Sequence, residues 1–137
     1  MERINDNWYF SPSWEDTKEE VLVRLPHNPK EIPLHYGDKS LYEMISSYRR
    51  TLVLTEEDEK KRLFLKFDGA AHIATVFVNG KELCTHRCGY TAFRVEFTSV
   101  AKVGDNSIAV RLDSTENPTI PPFGFVMDYL TYSGLYR

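Results

Sequence analysis

Only two cysteines, Cys84 and Cys88, occur among 137 residues, too few for a disulfide framework. A bridge between them is disfavoured if the segment is extended, because four residues at about 3.3 Å each outreach a disulfide. His86 lies between the two thiols and His72 is near in sequence, so zinc has to be weighed. One short Cys-x3-Cys with no second ligand pair at finger-like spacing reads instead as two ordinary free thiols, and no metal or other cofactor is expected. Basic runs are missing as well: 17 lysines and arginines against 20 acids give a net charge of −3, and no cluster can neutralise successive phosphates. Nucleic acid is thereby excluded as a partner. No stretch approaches the roughly 18 apolar residues that span a bilayer, and Met1 to Asp6 lacks a signal peptide's apolar centre. These absences predict a soluble, cytoplasmic protein with no membrane partner. Helical periodicity is scarce, and Leu41 to Ser47 has room for only a turn or two.

The period that does recur is two. Leu63, Leu65 and Phe67 share one face of a strand, as do Ala74, Val76 and Val78, then Val95 and Phe97, then Ile108, Val110 and Leu112. Asn79-Gly80 supplies the two positive φ values of a tight hairpin. Gly104-Asp105-Asn106 turns the chain into the strand from Ser107 to Asp113. Upstream, Glu20 to Leu25 and Tyr48 to Leu54 read as two more strands, and the polar run Glu56 to Lys61 reads as a solvated link. Six or more short strands separated by Gly, Asn and Pro turns predict one all-β domain, an antiparallel sandwich. From Ser114 to Arg137 the alternation stops, and Pro118, Pro121, Pro122, Gly124 and Gly134 predict a long, ordered, irregular loop of the kind that carries function.

Eight short segments then stand in an instructive order. They are Asn7-Trp8-Tyr9-Phe10, Val23-Arg24-Leu25-Pro26-His27, Tyr48-Arg49-Arg50, Phe67-Asp68-Gly69-Ala70, Val76-Phe77-Val78-Asn79-Gly80, Gly89-Tyr90-Thr91-Ala92-Phe93, Gly104-Asp105-Asn106 and Ser133-Gly134-Leu135-Tyr136-Arg137. Together they resemble the amino-terminal sugar-binding domain of glycoside hydrolase family 2, the β-galactosidase and β-glucuronidase family, over nearly the whole chain. The resemblance implies a jelly-roll-like, galactose-binding-domain-like β-sandwich, followed in the parent protein by an immunoglobulin-like domain and a catalytic (β/α)8 barrel, both absent here. It also implies that the family pattern runs on beyond Arg137, so the domain is expected to be truncated near that end. The catalytic carboxylates of a retaining hydrolase belong to the barrel, so this chain by itself is not expected to be catalytic.

The resemblance implies a β-galactoside as substrate and the catalytic barrel of the same polypeptide as partner, and it admits a homo-oligomer. It places an acid shortly before the Ser-Gly-Leu-Tyr-Arg segment on a loop reaching into the active site, a place held here by Asp128. A carboxylate there can accept hydrogen bonds from two adjacent sugar hydroxyls. Asn117, in Glu116-Asn117-Pro118, is a second sugar contact to weigh against a simple turn. Tyr129, with Tyr132, Tyr136, Phe123 and Phe125, offers an apolar face to a pyranose ring or else packs the loop. Trp8 and Trp14 fit structural anchors better than stacking platforms. His27 and His35 have no nucleophile near them in sequence, so a hydrolytic triad has no support. Two further readings stand beside the accessory domain: a stand-alone carbohydrate-binding module, and a purely structural or oligomerisation domain.

Overall fold

The computed structural model describes residues 1–30, 39–121 and 133–137. Its strands are β1 (Trp8–Ser11), β2 (Val21–Val23), β3 (Ile45–Leu54), β4 (Phe64–Phe67), β5 (Ile73–Val78), β6 (Lys81–Arg87), β7 (Phe93–Glu96) and β8 (Gly104–Asp113). A six-stranded sheet runs in the order β2-β1-β3-β8-β5-β6, and β4 pairs with β7 in a second sheet. All of these pairings are antiparallel. The chain passes between sheets from β3 to β4, β4 to β5, β6 to β7 and β7 to β8, which makes the fold a β-sandwich and not a simple meander.

The period-two residues set the faces. Val76, Val78, Ile108, Val110 and Leu112 of the large sheet are wholly buried, and Leu65, Phe67 and Val95 of the small sheet, with Phe97 just beyond β7, join them in one core cluster. Trp8, Phe10 and Tyr48 extend that cluster towards β1. The indole N–H of Trp8 donates to the Ile4 carbonyl at 2.6 Å, so Trp8 is a core anchor with its polar atom satisfied. Trp14 stacks on Phe77 at 5.3 Å, with the Arg49 guanidinium 5.0 Å from the indole centre. Both tryptophans are thus placed as anchors.

The hairpin predicted at Asn79-Gly80 joins β5 to β6, with φ of 51° and 80°. Asn79 also reaches sideways. Its amide donates to the Val100 carbonyl at 2.8 Å and to Asn106 Oδ1 at 2.9 Å, and its own Oδ1 accepts from Ser107 N–H. Asn106 is fully buried and donates to the carbonyls of Lys102 and Gly104. The Val-Asn-Gly and Gly-Asp-Asn segments are therefore two halves of one polar latch that fixes how β8 starts beside β5.

Two local expectations need correction. Leu41 to Ser47 is not helical: a 3-10 turn covers Lys39–Leu41, and Ile45, Ser46 and Ser47 belong to β3, opposite Asp113, Leu112 and Arg111. Pairing with a ten-residue partner strand outweighs the weak local preference of two serines. The run after Leu54 is solvated but not structureless, because Glu56–Glu59 forms one helical turn, α1. There Thr55 accepts from Asp58 N–H at 3.3 Å while the Asp58 carboxylate accepts from Thr55 N–H at 3.1 Å, a reciprocal cap. Among the described residues no helix is long and apolar enough to cross a membrane.

Candidate functional site

Motifs far apart in sequence meet at one end of the sandwich. The Gly134 carbonyl accepts from Ala71 N–H at 3.1 Å, and the Leu135 carbonyl accepts from His27 N–H at 2.9 Å. Leu135 is buried in the core cluster. Tyr136 donates its hydroxyl to the Gly89 carbonyl at 2.5 Å, and its ring lies so close to Gly69 that a Cβ there would stand 2.8 Å from Tyr136 Cζ. Gly89 is held from a second direction, because its N–H donates to the Pro121 carbonyl at 3.0 Å. One buried glycine therefore ties down both Pro121 and Tyr136, the chain on either side of residues 122–132. Ile120, buried, secures the outgoing side, and Ser114 secures its root, accepting from Met44 N–H at 3.2 Å and donating to the Tyr42 carbonyl at 2.5 Å.

Beneath this junction sits a buried polar pair. Tyr48 is wholly buried, and its hydroxyl shares a 2.9 Å hydrogen bond with His27 Nδ1. Burial pushes the phenol well above the usual tyrosine range, and a hydrogen bond from the Leu135 backbone pulls the other way. Burial lowers His27, so the neutral imidazole is the form packed against Phe10 and Tyr48. Both groups are thereby uncharged near pH 7, and the pair holds structure without a buried ion. At the rim, Lys66 bonds Asp68 at 2.7 Å and is the main reason that carboxyl titrates low, with Arg137 and Arg3 adding to the effect.

Of the residues singled out in the sequence, Asp128 and Tyr129 lie outside the described residues, as do Phe123, Phe125 and Tyr132. Asn117 is described. Its Oδ1 accepts from Thr119 N–H at 2.9 Å and from the Thr119 hydroxyl at 2.8 Å, so the amide oxygen is spent on its own turn. Cys84 and Cys88 are free thiols. His86 stacks on Phe93 at 4.2 Å, Phe93 stacks on Phe67 at 4.8 Å, and the His86 Nε2 is bonded to Thr91 at 2.9 Å. Among the described residues no three potential ligands converge on a metal position. Gly69 and Gly89 went unmarked as site residues. Each stands in a recognisable segment, but the partners that give it a role are 47 or more positions away in the case of Tyr136.

The chain is similar to known proteins in sequence and in fold. Residues 39–121 match the family described as glycosyl hydrolase 2 galactose-binding domain-like. The β-galactosidase of Thermoanaerobacterium thermosulfurigenes is 38% identical over 143 residues, covering 98% of this chain and 20% of that protein. The β-glucuronidase of Bacteroides fragilis is 38% identical over 135 residues, covering 98% of this chain and 19% of its own length. In the crystal structure of Bacteroides uniformis β-glucuronidase, a region of 28% identity superposes with a TM-score of 0.81 over 99% of this chain and 17% of that one. The chain thus spans only a small part of each relative, and the part it spans is the sandwich. With the match covering β3 to β8, the Asn79–Asn106 latch and Gly89, the chain belongs to the galactose-binding-domain-like family of glycosyl hydrolase 2.

Proposed function

We propose that this domain is the amino-terminal accessory domain of a retaining glycoside hydrolase acting on β-galactosides, and that it lends the segment around Asp128 to the sugar subsite. The catalytic barrel lies elsewhere in the same polypeptide, where an acid/base carboxyl and a nucleophilic carboxylate about 5 Å apart carry out the double displacement. This domain contributes recognition and not bond breaking. The observation that carries the reading is the double hold on Gly89, which gives a segment rooted in the sandwich a fixed base on both sides. A side chain held outside its own domain needs such a base, since a misplacement of about 1 Å in a substrate contact costs on the order of a hundredfold in rate.

Relatives of both names, β-galactosidase and β-glucuronidase, support a hydrolase parent. A stand-alone binding module is less well supported, because Trp8 is buried and Trp14 is engaged by Phe77 and Arg49. The test is Asp128→Ala in the full-length enzyme. Losing a charged hydrogen bond to a sugar hydroxyl costs about 1.5 to 3 kcal/mol, which appears in KM if the bond is equal in ground and transition states and in kcat if it tightens. Asp128→Asn keeps the shape without the charge and lies between Ala and wild type. Unchanged kcat/KM, or a loss that only follows a lower Tm, rejects Asp128 as a substrate ligand.

A further inference from the structure

We propose that the outer edge of β2 is an interface between two copies of this chain, paired antiparallel across a two-fold axis at Leu22. The proposal does not depend on the sugar-subsite reading. β2 ends the six-stranded sheet, and among the described residues it has β1 on one side and no strand on the other. Such an edge presents unpaired backbone donors and acceptors and is ordinarily guarded. Here it is apolar: Val21 is 52% exposed and Leu22 63%. Tyr9, opposite Leu22 in the β1–β2 register, is exposed too, so Leu22 and Tyr9 form one patch on the outer face of the sheet. Val21 and Val23 point to the other face, because their partners Phe10 and Trp8 belong to the core. β6, at the opposite end of the sheet, has no large exposed apolar side chain.

The charges around β2 select the occupant. The stretch Glu20-Val21-Leu22-Val23-Arg24 is complementary to itself when run antiparallel. With Leu22 opposite the partner's Leu22, Val21 meets the partner's Val23 and Glu20 meets the partner's Arg24, which sets apolar on apolar and acid on base. A slip of two residues in either direction puts Leu22 against a charge, and a slip of one brings the partner's core-side valines onto the outer face. The register is therefore specified. Both charges are open to a new partner: Arg24 bonds Asp6 where both side chains are well exposed, and Glu20 stands 3.8 Å from Arg49, long for an ion pair. Such pairs contribute little in water, so exchanging them for cross-strand partners costs little. A two-fold contact uses the same patch on both copies, so it joins two sheets into one and stops at a dimer.

The experiment uses the full-length polypeptide. Directly opposed residues of antiparallel strands stand about 4.5 to 5.5 Å apart at Cα, within reach of a disulfide. Leu22→Cys, a change at an exposed position, is expected to give on mild oxidation a reducible cross-linked dimer, joined through position 22 of both copies when mapped by mass spectrometry. Wild type, with Cys84 and Cys88 present, is the control and should not cross-link. Val21→Cys should link far less, since position 21 faces position 23. The rate of the Leu22→Cys link reads this interface whatever other contacts the polypeptide makes. Adding Glu20→Arg or Arg24→Glu is expected to slow it by about tenfold, because like charges then oppose each other at both ends, and adding the two together should restore it. Absence of the 22-to-22 link, equal linking by Val21→Cys, or capture of position 22 by Cys84 or Cys88 overturns the two-fold register. Charge reversals without effect, or a double reversal no faster than the singles, overturn it as well, since the edge then meets something other than a second copy.

Discussion

A methyl group added at position 134 would sit 2.3 Å from the His27 carbonyl oxygen, 2.8 Å from Pro29 Cδ and 3.0 Å from the Tyr48 hydroxyl, on a backbone with φ of 108°. Both the dihedral and the space demand glycine. Gly134→Ala is expected to destabilise the domain by about 3 kcal/mol or more, the sum of a strained backbone and a clash with atoms that cannot yield. Urea denaturation measures it, and a change below about 1 kcal/mol contradicts the geometry. The segment Ser133 to Arg137 was legible as a family signature, but the reason for its glycine was not. His27 and Tyr48 approach it only after folding, and sequence spacing carries no trace of contacts made across that distance. The same holds for Asn79, which local turn chemistry identified as a hairpin residue while its bond to Asn106 remained invisible. Asp128 is put forward through resemblance alone and lies outside the described residues.

Elements were readable where burial is one-sided and unreadable elsewhere. β1 escaped notice because Trp8, Tyr9 and Phe10 are all aromatic and show no alternation, although the structure turns Trp8 and Phe10 inward and leaves Tyr9 48% exposed. β2 shrank from the expected Glu20–Leu25 to Val21–Val23, since only three of its residues find partners on β1. α1 is not expected from the run Glu56 to Lys61, whose like charges read as a solvated link, although Thr55-x-x-Asp58 is a capping signature. Its acid gives a prediction with a sign. Hydrogen bonds from the Thr55 side chain and backbone, followed by Lys61, pull Asp58 down to about 2 from 3.8. The folded state therefore prefers the carboxylate, and the stabilisation is complete above pH 3.8 and fades as the pH falls towards about 2. An NMR titration of the Asp58 carboxyl should show this midpoint, and Thr55→Val should move it back upwards. A wild-type midpoint at the ordinary aspartate value would refute the reciprocal cap.

At the scale of the molecule, the inner faces of the two sheets form one apolar cluster. Period-two patterning revealed which residues face inward, but it could not reveal which sheet a strand joins, because face and partner are independent choices. Leu65 on β4 and Leu112 on β8 sit in the same cluster from opposite sheets. Leu65→Ala and Leu112→Ala are each expected to cost about 2 to 5 kcal/mol and to shift a single cooperative transition. Thermal melts followed by far-UV and near-UV circular dichroism provide the check, and two separated transitions in either variant would show that the sheets unfold independently.

The pairing of β3 with β8 has a consequence for biosynthesis. Ile45 lies opposite Asp113 and Leu54 opposite Gly104, so the ten residues of β3 leave the ribosome well before their main partner exists. At roughly 5 to 20 residues per second, an interval of roughly 50 to 70 residues is a wait of several seconds with one long strand edge unpaired. Such an edge invites pairing with a neighbouring nascent chain. β3 reads Ile-Ser-Ser-Tyr-Arg-Arg-Thr-Leu-Val-Leu, with its polar residues in the stretch from Ser46 to Thr51 that emerges before the apolar end. In the finished sheet the paired serines and arginines bond neighbouring backbone: Ser46 to Leu112, Ser47 to Ser13, Arg49 to Trp14 and Arg50 to Ile4. During synthesis the same four side chains keep that stretch of the strand hydrated and positively charged, which makes a premature partner harder to hold than the native one that follows.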